Sequence, residues 1–190
     1  MKRASVVSAL LLSLAASQAA FGGVDFSYTE PGGAIRDNLA TAFPLTMDSA
    51  ADPSIVDLEL EITGLTHPAP WDLDIYLIDP FGNMLDVQLD RGDQSAVNNL
   101  TLIFNDNGSD LPLNPDTPLS TGPWKPEDGT FADKFEFRGT DAWLLLIVDD
   151  TPGGTGSFTS WTLRGTVPEP VTLSLLAIGA VATLRRRLGR

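Results

Sequence analysis

The 190-residue sequence predicts an all-β fold, a sandwich of about eight short strands set between two terminal segments of different character. Three observations predict it. Apolar and polar residues alternate with period two in several stretches of the middle, which gives each stretch one oily and one wet face. Connections rich in Asn, Asp, Gly and Pro separate these stretches, the longest being NDNGSDLPLNPDTP at 105–118. No part of the middle sustains the 3.6-residue period of an amphipathic helix.

The elements follow in chain order. Lys2 and Arg3 precede an apolar run from Ala4 to Ala16 and then Ser17, Gln18, Ala19 and Ala20, the pattern of a secretory signal peptide over residues 1–22. Cleavage is expected after Ala19, with Gly22 as the second choice; the alternative is a buried core helix, which fits the flanks less well. In IVDLELEIT, residues 55–63, Val56, Leu58, Leu60 and Ile62 share one face and Asp57, Glu59 and Glu61 the other, as in a half-buried antiparallel strand. WDLDIYLIDPFGN, 71–83, repeats the device with Leu73, Ile75 and Leu77 inward. It then breaks at Asp79-Pro80-Phe81-Gly82, a type I turn that returns the chain through Met84 to Leu89 as a hairpin. Leu100 to Phe104, Phe131 to Phe137, Trp143 to Val148 and Phe158 to Thr166 are the remaining strands.

The segment between the two ends, 24–166, is the length of one ordinary domain. It holds six basic residues against 24 acidic ones, a net charge near −18. Such a field repels phosphate backbones, which excludes nucleic acid as the expected partner and makes divalent cations the natural counter-ions. With no cysteine, the domain is held together without disulfides or thiolate metal sites.

The run HPAPWDLDIYLIDPFGN at 67–83, followed by LTLIFNDN at 100–107, GPWKPED at 122–128 and GTDAWLLLIVDDTPGGTGSFTSWTLRGT at 139–166, resembles the P domain (P/Homo B domain) of proprotein convertases. The resemblance implies a jelly-roll, galactose-binding-like β-sandwich. P domains accompany subtilisin-like serine endopeptidases, so the resemblance also implies a protease-associated role.

The tail, 167–190, begins Val167-Pro168-Glu169-Pro170, continues through a mostly apolar run from Val171 to Leu184 and reaches Arg185, Arg186 and Arg187. These parts resemble the PEP-CTERM sorting signal of bacteria that make extracellular polymers. Fourteen residues give about 21 Å of helix, short of a bilayer core of about 30 Å. Spanning therefore requires tilt, thinning or snorkelling of the arginines, which the positive-inside rule keeps cytoplasmic. The geometry leaves open a permanent anchor; the resemblance implies a transient one, cut near Pro168-Glu169-Pro170 by an exosortase-type protease after signal peptidase has acted. The expected destination is the cell envelope or the extracellular space.

Catalysis is not expected. A Ser-His-Asp triad would have to use His67, the single histidine, and no Gly-x-Ser-x-Gly nucleophile motif is present. TPGGTG at 151–156 lacks the Lys-Ser or Lys-Thr and the helix of a phosphate loop, and reads as a turn between strands. Aspartates at strand ends supply the hard oxygen ligands that calcium takes, and Asp72, Asp106 and Asp149 are the candidate set because each lies in a block that resembles the family. The alternative is solvated loop carboxylates and Asx turns. DNGSD lacks the glutamate and helices of an EF-hand. Trp143 and Trp161 are expected in the core, which leaves Trp71 and Trp124, both in loops, as candidate ligand-facing aromatics.

Three readings of function follow. The first is an exported, non-catalytic module that binds an exopolysaccharide or a cell-surface protein, or has a structural place. The second is a stand-alone accessory of a subtilisin-like protease, and the third a calcium-dependent carbohydrate-binding module.

Overall fold

The structure, a computed structural model, describes residues 24–47, 57–112, 117–135 and 141–167. Among the described residues, ten strands build two antiparallel sheets: β1 (Val24–Pro31), β2 (Ala34–Ile35), β3 (Ala40–Met47), β4 (Asp57–His67), β5 (Leu73–Ile78), β6 (Met84–Gln88), β7 (Val97–Ser109), β8 (Asp141–Asp149), β9 (Gly156–Ser157) and β10 (Ser160–Val167). In the first sheet β10 lies between β1 and β4, and β7 pairs with the other edge of β4. The short strands β9 and β2 extend this sheet beyond the end of β10. The second sheet runs β3-β8-β5-β6.

The two sheets face each other across a core whose composition follows from the alternation. Leu58, Leu60 and Ile62 of β4, Leu102 and Phe104 of β7, and Trp161 and Leu163 of β10 are buried on one side. Leu73, Ile75 and Leu77 of β5, Trp143, Leu145 and Ile147 of β8, and Leu85 and Val87 of β6 meet them from the other. Burying one such aliphatic or aromatic side chain contributes about 1.5–3 kcal/mol. The expected places of Trp143 and Trp161 are therefore observed: both are core residues.

The predicted hairpin at 79–83 forms as expected. Gly82 N–H donates to the Asp79 carbonyl (3.0 Å), and Asp79 Oδ1 accepts from the N–H groups of Phe81 (2.9 Å) and Asn83 (2.7 Å). That buried carboxylate makes the turn rigid.

Two differences from the sequence expectations have physical causes. Strands β1 to β3 precede the first predicted one. Of these, β3 carries Pro44, which a central strand excludes for want of an N–H; β3 tolerates it because β8 is its only neighbour among the described strands. Where the strand at 131–137 was expected, the described residues begin with a single helical turn, α1 (Phe131–Lys134). Phe131 and Phe135 share a face under either period, since a spacing of four suits both a strand and a helix. Their rings stack at 6.3 Å, and Phe135 meets Trp143 edge-on at 5.1 Å.

Candidate functional site

One end of the sandwich is closed by a buried histidine–carboxylate pair that begins with a strand irregularity. Strand β4 keeps its even-numbered residues inward up to Ile62, and a register shift at Gly64 (φ +76°) then turns Leu65 and His67 inward instead. A bulge of this kind re-aims every side chain that follows it. On the other sheet the alternation of β8 continues unbroken through Trp143, Leu145 and Ile147 to Asp149. The last inward positions of the two strands meet there: His67 Nε2 lies 3.1 Å from Asp149 Oδ2, with the imidazole 1% and the carboxylate 0% exposed.

The loop after β4 wraps this pair. His67 Nδ1 is 2.8 Å from the Ala69 carbonyl oxygen, which also accepts from Asp72 N–H (3.1 Å) as the chain makes a 3-10 turn over Pro70–Asp72. Asp149 Oδ1 accepts from Thr151 N–H (3.3 Å), and Asp150 N–H donates to the Asp72 carbonyl (3.1 Å). The last glycine of TPGGTG finds its reason here. A Cβ on Gly156 would lie 2.3 Å from His67 Cδ2, so only a glycine lets β9 pass the imidazole.

Carboxylates crowd the rim. Burial raises the Asp72 pKa, the neighbouring Asp149 raises it further, and His67 opposes both. Burial likewise raises Asp74, against the Tyr76 hydroxyl that donates to its Oδ2 (3.0 Å); burial and then Asp74 push the Tyr76 phenol up to about 12.

Both imidazole nitrogens have partners within the fold, one a carboxylate and the other a backbone carbonyl. A triad requires one nitrogen to take the proton of a nucleophile while the other is held by the acid. His67 has no such free nitrogen and no exposed edge to offer a substrate. Chemically the pair is a clasp between the sheets.

The candidate calcium residues separate into two places. Asp72 and Asp149 lie together at the clasp, where their charges interact. Asp106 lies on β7 next to Asn105, which pairs with Glu59; eight residues of β4 separate Glu59 from His67, roughly 25 Å at strand rise. Its two oxygens accept from the N–H groups of Phe131 (2.7 Å) and Ala132 (3.0 Å), which caps α1. Among the described residues, no three His, Cys, Asp or Glu side chains gather as a metal-holding group.

Trp71 and Trp124 are both half-buried. Trp71 lies in the 3-10 turn, and Trp124 packs against the core and donates from Nε1 to the Ser120 carbonyl (2.9 Å). Pro168, Glu169, Pro170 and Arg185 to Arg187, like the signal segment, lie outside the described residues. No helix among the described residues is long and apolar enough to cross a membrane.

Sequence reading did not find the second concave feature, a groove of about 520 Å³ at the end of the first sheet remote from the clasp. It joins residues from β1, β4, β7 and β10 that only strand pairing brings together.

No family model matches the chain, and no curated protein matches it. Among solved structures, it is similar to the crystal structure of a serine protease of Aeromonas sobria, at 15% identity and a TM-score of 0.43, over 76% of this chain and 27% of that one. It is also similar to the crystal structure of the Aeromonas sobria serine protease in complex with its chaperone, at 16% identity and a TM-score of 0.38, over 76% of this chain and 28% of that one. The chain thus spans little more than a quarter of the length of each, and likeness of this degree carries no assignment of activity.

Proposed function

We propose that this chain is an exported, non-catalytic module of the P-domain type that acts as an accessory to a subtilisin-like serine protease. The observation that carries the reading is the His67–Asp149 clasp. It joins the first of the four resembling blocks, 67–83, to the last, 139–166, and it supports a structural part for the single histidine. The order of the long strands, β1-β10-β4-β7 facing β3-β8-β5-β6, supports the jelly-roll form of the sandwich. Export and sorting rest on the terminal signals: a segment of about nineteen residues removed by signal peptidase, and a Pro168-Glu169-Pro170 tail read by an exosortase-type protease.

The test is co-expression with a subtilisin-like catalytic chain from the same cell. The module is expected to co-purify with that chain and to raise its melting temperature, while alone it leaves dibasic peptides uncut. Failure to associate overturns the accessory role. Turnover by the isolated chain that vanishes in His67→Ala overturns the non-catalytic one. Intact mass of the secreted species checks the two processed ends separately.

A further inference from the structure

The outer faces of the two sheets differ in chemistry. On the first, the residues turned away from the core are polar: Ser27, Arg164, Glu59 and Asn105 form one transverse row, and Thr29, Thr162 and Glu61 lie in the next. On the second, strand register sets Pro44, Leu144, Ile78 and Met84 side by side in one row and Ala42, Leu146, Tyr76 and Asp86 in another. Their chain neighbours Leu45, Leu145, Leu77 and Leu85 are buried, so both rows point outward. The run from Trp143 to Val148 is thus apolar on both faces, the pattern of a strand covered on both sides. Leu39, Phe81 and Met84, the large apolar side chains exposed among the described residues, all lie in or next to the strands of this sheet.

An exposed apolar face with a polar rim marks an interaction site. Contact is by the face and not by the edge. Asp149 N–H donates to the Leu39 carbonyl, so odd-numbered residues of β3 bond to β8 and even-numbered ones direct their backbone groups away from it. Pro44 is one of these and has no N–H, which blocks the addition of a strand there. The rim is acidic on one side. Asp86 ends its row, Asp74 stands beside Val148 in the next, and Asp90 and Asp150 lie close by: burial and then Asp74 and Asp150 raise the Asp90 pKa. Among the described residues no lysine or arginine pairs with these four carboxylates. The opposite side, formed by β3, carries no charge.

Charge decides the occupant. A second copy would bring another domain of net charge near −18, with the same carboxylates, against the first. A complementary surface has an apolar centre, lysine or arginine along the side that meets β5 and β6, and no such charge where it meets β3. We propose that the outer face of β3, β8, β5 and β6 docks an apolar patch of this kind, basic on one side, on the subtilisin-like catalytic chain, an inference that rests on the accessory reading.

The experiment places photoreactive benzoylphenylalanine at position 40, exposed on this face, in the full chain co-expressed with that catalytic chain, and identifies the adducts by mass spectrometry. The catalytic chain is expected in the main adduct, through a segment that carries lysine or arginine. In this background Ala42→Lys, which sets a charge in the apolar centre, is expected to lower the adduct yield about tenfold, and Asp86→Asn about two- to threefold. Ser27→Lys, exposed on the outer face of the first sheet, is expected to leave it unchanged. Melting curves check that each variant folds, and Asp86→Asn carries the test if Ala42→Lys does not. Adducts with a second copy or with the chain's own residues 171–184 in place of the catalytic chain overturn the proposal. So does a parental yield in Ala42→Lys or Asp86→Asn, or an equal loss in Ser27→Lys; if the two chains still co-purify, the accessory reading survives these outcomes. If the chains do not associate at all, both fall.

Discussion

His67 Nε2 sits 3.1 Å from Asp149 Oδ2, and this one contact ties the last inward position of β4 to the last inward position of β8 across the two sheets. Neither group meets water, so each depends on the other. Removing one partner of a buried pair leaves an uncompensated polar or charged group and costs about 3–5 kcal/mol. His67→Ala and Asp149→Ala are each expected to lose stability of that order in urea unfolding, and the double variant to lose less than the sum. Additive losses would show that the two side chains do not act as a pair.

Acid is expected to favour the fold at the rim of the clasp. Burial raises Asp72 and Asp74 above their ordinary value of 3.8, so the folded protein holds these protons more tightly than the unfolded chain does. Stability contributed by such groups falls as pH rises from about 3.8 through the raised folded values, and the loss is complete above them. Melting curves between neutral pH and mild acid should show Asp72→Asn stabilised at neutral pH and less dependent on pH than the parent. An unchanged pH slope in Asp72→Asn would assign the titration elsewhere.

Asp106 is expected to act through α1 and not through a cation. Its carboxylate receives two backbone N–H groups of the first turn, and hydrogen bonds to a charged acceptor are worth about 1.5–3 kcal/mol. Asp106→Ala should lower the melting temperature equally in EGTA and in millimolar calcium at matched ionic strength. Any calcium increment should instead be sensitive to Asp72→Asn and Asp149→Asn. A calcium-dependent loss in Asp106→Ala would return it to the candidate ligand set.

Gly156→Ala is expected to strain the clasp without removing any of its atoms. The added methyl would lie 2.3 Å from the imidazole and 2.8 Å from the Thr66 carbonyl, a clash that only movement of β9 or the ring relieves. Overpacking of this kind costs about 1–3 kcal/mol. Urea unfolding of Gly156→Ala, compared with Gly153→Ala, where no atom lies within 4 Å of the added methyl but φ is +147°, separates a side-chain clash from backbone strain.

The strands at 57–63, 73–78, 143–148 and 160–166 were legible because alternation is a local property: a strand with one wet face must be written with period two whatever it pairs with. The hairpin at 79–83 was legible for the same reason, its turn chemistry lying within five residues. The acidic excess of the middle segment is likewise a matter of sequence alone.

Tertiary structure decided the rest. Whether His67 faces solvent or core depends on the register shift at Gly64, which exists only relative to β7; read as a loop residue after a strand ending at 63, His67 proves to be the last inward residue of a longer one. The run from Phe131 to Phe137 fitted a strand on its own terms. It begins as a helical turn because Asp106, 25 residues earlier, takes the first two N–H groups and Thr130 Oγ1 the third. The groove needed four strands to align Ser27, Arg164, Glu59 and Asn105. Period and turn chemistry are determined within a few residues, whereas bulges, caps and clefts are set by which distant backbone lies alongside.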